Sequence, residues 1–171
     1  MAELTPQERL QPALLDRLAD NEPDKKLEPR EERVMTRTRL RQAVLRDLAW
    51  LFNTTKLGSH QDFKGYPYAG DSVINFGLPA LSGETASTLD IIELERSIKQ
   101  AIIDFEPRID PASLQVEAGV TDMQLDRHNV ISVQIRGNFW SQPVPLELLL
   151  RTDVDLETGQ VEIRDLARSE M

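Results

Sequence analysis

Three carboxyls, Asp104, Glu106 and Asp110, surround Pro107 and Arg108. Carboxyls this close together raise the question of acid–base chemistry, and of glycoside hydrolysis in particular. That reaction uses two carboxyls flanking the scissile bond, one of them kept protonated, usually by apolar burial. Arg108 stands beside Glu106, and a neighbouring cation favours the charged form of a carboxyl, the opposite of what a general acid needs. Neither Asp104 nor Asp110 has an apolar sequence setting that would protect a proton. The chain has neither a Gly-rich phosphate loop nor a Gly-x-Ser-x-Gly or His-Glu-x-x-His motif. His60 and His128 stand alone, without partners at ligand spacing, and there is no cysteine. Neither a metal nor a cofactor is therefore expected, and disulfides, thiolate ligands and a cysteine nucleophile are excluded.

The same residues read differently as a corner. Pro107 ends a helix, because the residue before proline is steered out of helical geometry. Glu106 and Arg108 are then expected to project from a rigid turn anchored by Phe105 and Ile109. Arg108 can satisfy carbonyls at the end of its own helix, or it can offer its fork to a partner's carboxylate.

The elements that must hold this corner follow from hydrophobic period. Leu10, Leu14 and Leu18 predict a short amphipathic helix over Gln11–Ala19, limited by flanking prolines. Leu40, Val44, Leu48 and Leu51 predict a longer helix over Val34–Phe52, with Arg33, Arg37 and Arg41 on a second face. That basic face is either solvated or a docking surface for an acidic partner. Residues 53–71 read as a loop, and the alternation of Ile74, Phe76 and Leu78 predicts a short strand within Ser72–Pro79. A helix is expected over Leu89–Phe105, capped by Ser87 or Thr88. Beyond Pro111 the period changes to two, predicting about four strands, with Gly137 and Pro143–Pro145 interrupting the ladder. The turn Glu157–Gln160 leads back through Val161 and Ile163. The expected fold class is α+β: N-terminal helices, then an antiparallel sheet covered by a helix. Residues 1–30 form a tail and residues 31–171 a single domain.

Of 171 residues, 40% are hydrophobic and the net charge is −9, which argues against nucleic-acid binding. Six arginines oppose Glu31 and Glu32 between Arg30 and Arg46, a local +4, so the remainder carries −13. No apolar run reaches membrane-spanning length, and Met1–Pro6 lacks the features of a secretory signal. A cytoplasmic chain without direct membrane insertion is expected.

Four segments in order, Leu14–Leu18, Leu45–Thr54, Ser72–Pro79 and Phe105–Ile109, resemble the TssE family of type VI secretion baseplate subunits. That family belongs to the wider phage-tail baseplate wedge group often labelled lysozyme-like. The resemblance implies a structural role in a contractile injection machine, with Glu106, Pro107 and Arg108 as the family's Glu-Pro-Arg motif. It implies contacts with other wedge subunits (TssF, TssG, TssK) and a strand-based starting point for the sheath (TssB, TssC). The terminal edge at Val161 and Ile163 is the expected acceptor for a sheath strand, since sheet edges carry unpaired backbone groups. The alternatives are a peptidoglycan-cleaving hydrolase or a free-standing cytoplasmic adaptor.

Overall fold

Thr36 opens the first long helix because its hydroxyl accepts the Arg39 N–H at 3.2 Å, taking up a donor that the first turn leaves free. In the computed structural model, which describes residues 13–18, 23–24, 36–66, 68–81, 90–119, 130–139 and 146–166, this helix is α2, Arg37–Phe52. Its buried face is Leu40, Ala43, Val44, Leu48, Leu51 and Phe52. The shorter helix before it, α1, spans Leu14–Leu18, within the expected Gln11–Ala19. Helix α3 runs Ile91–Phe105 and buries Leu94, Ile98, Ala101 and Ile102. Its cap is Asp90, whose carboxylate accepts the N–H groups of Ile92 and Glu93 at 2.9 and 3.2 Å. This corrects the expected cap and the start at Leu89; Ser87 and Thr88 lie outside the described residues. An aspartate suits the site, since it answers both the free N–H groups and the positive end of the helix.

The sheet is an antiparallel meander in the order β1 (Gln115–Gly119), β2 (Val130–Phe139), β3 (Leu146–Asp155), β4 (Val161–Asp165). Register places Val133 opposite Thr152 and Ile135 opposite Leu150. Alternation then puts Ile131, Val133, Ile135, Phe139, Leu148, Leu150 and Val154 on one buried face. The buried faces of α2 and α3 join that same core, which gives the expected α+β arrangement of helices followed by a helix-covered antiparallel sheet. Thr152 is the polar residue in this row, and its hydroxyl donates to the Val133 carbonyl at 3.1 Å, so it leaves no unsatisfied group. Gly137 does not interrupt the ladder: it pairs with Leu148. A Cβ there would lie 3.4 Å from Ile109 Cγ2, so the strand passes closely beneath the chain leaving the corner. Pro143–Pro145 lies outside the described residues.

The expected strand at Ser72–Pro79 is a 3-10 turn, Val73–Asn75. Ser72 sets it, since its hydroxyl accepts the Ile74 N–H and so stabilises a turn in place of extended chain. What remains of strand pairing is one parallel bridge. The Lys56 N–H donates to the Leu78 carbonyl and the Leu78 N–H to the Thr54 carbonyl, both at 2.8 Å. Gly77 makes that close approach possible, with φ at 128° and room for no side chain: a Cβ would sit 2.3 Å from the Thr54 carbonyl oxygen. Gly77→Ala should therefore cost about 2–3 kcal/mol of stability, read as a lower urea midpoint with an unchanged slope.

Candidate functional site

Glu106 caps the C-terminal end of α3, its N–H donating to the Ile102 carbonyl at 2.8 Å. Pro107 then turns the chain, and Ile109, buried and bridged to Phe139, pins the far side of the turn to β2. Ile109 anchors the corner, but Glu106 does not project from it. It is 3% exposed, and Arg108 folds back to grip it. Arg108 Nε donates to Glu106 Oε1 at 2.6 Å and Arg108 Nη2 donates to Oε2, a two-pronged fork between residues two apart. Arg108 Nη2 also donates to Asp47 Oδ2, from α2. Arg108 thus spends its donors on side-chain carboxylates and not on helix carbonyls. Burial works against its charge, but the hydrogen bonds and charge of Glu106, and then of Asp47, outweigh it and hold its pKa above the ordinary arginine value.

The pairing continues outward along α2. Arg46 Nε donates to Asp47 Oδ1 at 2.9 Å, and Arg46 Nη1 donates to Asp16 Oδ1 of α1 at 2.7 Å. The bond to Asp16 is the largest influence on Arg46 and raises its pKa. The Arg46 guanidinium also lies 5.3 Å from the centre of the Trp50 ring. Asp16, Arg46, Asp47, Arg108 and Glu106 make a row of alternating charges from the N-terminal helix to the corner.

Beside this row opens a cavity of about 450 Å³, walled by Leu48, Leu51, Phe76 and Phe105, with Asp47, Glu106 and Arg108 at its polar side. Phe76 and Phe105 meet edge to face at 5.2 Å, so the loop after α2 and the end of α3 share one wall. Among the described residues Arg108 Nη1 is buried without an acceptor, an uncommon and costly state for a donor.

The remaining expected site residues lie elsewhere. Arg41 is not free on a basic face: its fork holds both oxygens of Asp165, and its Nη1 donates to the Glu147 carbonyl at 2.9 Å. Arg37 is exposed, and Arg33 lies outside the described residues. Val161 and Ile163 are on β4, the last strand of the sheet. The Asp155 N–H donates to the Gln160 carbonyl and the Leu166 N–H to that of Leu149. Even-numbered residues therefore bond β3, and the backbone of Val161 and Ile163 faces outward. Asn53 already answers Val161, accepting its N–H and donating to its carbonyl, each at 3.0 Å. The adjacent Arg46–Asp47 pair apart, Asp16, Arg46, Asp47 and Asn53 carry no sign of these roles in the sequence, because the partners that join them to other elements are 30 to 108 residues away.

A family model described as baseplate wedge protein gp25 matches residues 38–144, from α2 through the corner and β2. The chain belongs to the baseplate wedge protein gp25 family. No curated protein and no solved structure matches it. The matched span of this wedge protein contains Arg46, Asp47 and the whole Glu106–Arg108 fork. Its family role is structural, within a phage-type baseplate and among other baseplate proteins. Both oxygens of Glu106 accept from Arg108, and the carboxylate is buried at the polar side of the cavity. Among the described residues no helix is long and apolar enough to cross a membrane.

Glu106→Ala should cost about 2–3 kcal/mol, because it strips one partner from a buried pair while Asp47 retains the other prong. Arg108→Lys keeps the charge and loses the fork, and should cost about 1 kcal/mol. Guanidinium midpoints of the two variants should fall in that order.

Proposed function

We propose that the protein is a cytoplasmic, non-enzymatic baseplate subunit of a type VI secretion machine. Its domain, residues 31–171, joins the wedge subunits TssF, TssG and TssK and starts the sheath of TssB and TssC. The observation that carries the reading is the buried Glu106–Arg108 fork at the side of an apolar cavity, in a chain of the wedge family. An apolar cavity with a few fixed polar groups is built to receive a partner's side chains. Arg108 Nη1, unpaired among the described residues, supplies a donor for a partner's carbonyl or carboxylate.

A second surface serves the sheath. The rung at Val161 is taken by Asn53, so the strand-accepting edge of β4 begins at Ile163. Proline at 163 leaves the β3 ladder whole, because that N–H faces away from β3. Proline at 161 also breaks the bond to Asn53 and tests less cleanly. On the basic face, among the described residues, Arg37 is the one exposed to meet a partner, since Arg41 braces α2 against β3 and β4.

The two surfaces separate in one experiment. Arg108→Lys should fold but fail to co-purify stoichiometrically with wedge subunits from sheath-assembling cells. The weakening should exceed about tenfold, as for loss of a charged interfacial hydrogen bond. Ile163→Pro should co-purify with wedge subunits and leave the sheath unassembled. A wild-type chain that captures no wedge subunit would instead be a free-standing adaptor, and normal sheaths with both variants would overturn both assignments.

A further inference from the structure

We propose that α1 is an ionic latch over the cavity, closed by Asp16 on Arg46 and opened when that pair is lost. Helix α1 lacks the usual means of holding itself to a domain. Its leucines turn outward, with Leu14 and Leu18 each 72% exposed and Leu15 46%, so apolar burial contributes little to its docking. Five residues are also too few for a helix to persist alone. Yet the start of α1 is held at the cavity, where Ala13, the residue before the helix, forms part of the lining.

Asp16 accounts for both facts. Its Oδ2 accepts the Ala13 N–H at 3.2 Å and closes the turn that begins α1, while its Oδ1 takes the Arg46 guanidinium at 2.7 Å. The same carboxylate therefore shapes the cover and fastens it. Arg46 can release Asp16 without becoming unpaired, because its Nε still donates to Asp47 Oδ1 at 2.9 Å and the Trp50 ring lies beneath it. Opening thus strands no charge, and a partner's carboxylate can take the place of Asp16. A pair with one third of its arginine side chain exposed is weak and screened by salt, which suits a contact made to be exchanged. The row of charges carries the exchange inward, since Arg46 shares Asp47 with Arg108.

The use of the latch rests on the reading that a wedge subunit docks at the corner, but the latch itself is measured on the chain alone. Trp140→Phe leaves Trp50 as the sole tryptophan of the full-length protein. Acrylamide quenching of Trp50 and hydrogen exchange at residues 14–18 then report opening. Raising salt from ~0.01 M to ~1 M shortens the screening length from about 30 to about 3 Å, so both signals should rise. Asp16→Lys should raise them at low salt, shifting the open-to-closed ratio about fivefold as expected for a part-exposed pair. Quenching and exchange indifferent to salt would overturn the latch without any variant, as would Asp16→Lys behaving like wild type at low salt. If the latch opens as stated while Arg108→Lys still captures wedge subunits, the latch stands and the docking reading falls.

Discussion

The pairing of β2 with β3 decides where everything else can go. Ten residues of each strand lie in register, from Val130 opposite Asp155 to Phe139 opposite Leu146, and their buried apolar side chains fall on one face, with Val130 and Leu149 half-buried on the other. The opposite face carries Ser132, Gln134, Arg136, Arg151 and Asp153 and remains in contact with water. A sheet with one apolar face accepts cover on that face alone, so α2 and α3 must both lie there. A chain leaving α3 must then turn sharply to reach the edge of the sheet as β1. Pro107 makes the turn and Ile109 seats it. Glu106 is thereby carried into the interior, and a buried carboxylate requires a partner. Arg108 is near enough to be that partner at once, and Asp47 on α2 completes the set.

The edges of the meander are handled by single side chains from the helices. Asn53, at the end of α2, binds both backbone groups of Val161 on β4 as a neighbouring strand would. On the other side, Glu95 of α3 accepts the outward N–H of Ala118 on β1 at 2.7 Å. Each device blocks one rung and no more. Natural edges are commonly blunted in this partial way, which discourages pairing with unsuitable strands without sealing the sheet.

Charge follows the same economy. The arginine-rich start of α2 looks like a uniform basic face in sequence, yet its members do different things. Arg41 ties the helix to β3 and β4, Arg46 reaches α1, and Arg37 is left to solvent. Acidic residues from distant segments supply two of the partners, Asp165 for Arg41 and Asp16 for Arg46.

Much of this was legible in the order of residues. Periods of 3.6 and then 2 located α2, α3 and the four strands, since periodic burial is a local property that each segment expresses alone. The Glu-Pro-Arg corner was visible because proline acts on the residue next to it. Turn chemistry was misread at Ser72–Pro79, where alternation suggested a strand and the Ser72 hydroxyl made a 3-10 turn. Tertiary structure alone decided that Glu106 is buried, that Arg41 is a brace, and that Asp16 and Asp47 join Arg108 in one row. Those outcomes depend on which side chains from distant segments come within hydrogen-bonding reach. That distance is set by the packing of helices on a sheet, and no local pattern encodes it.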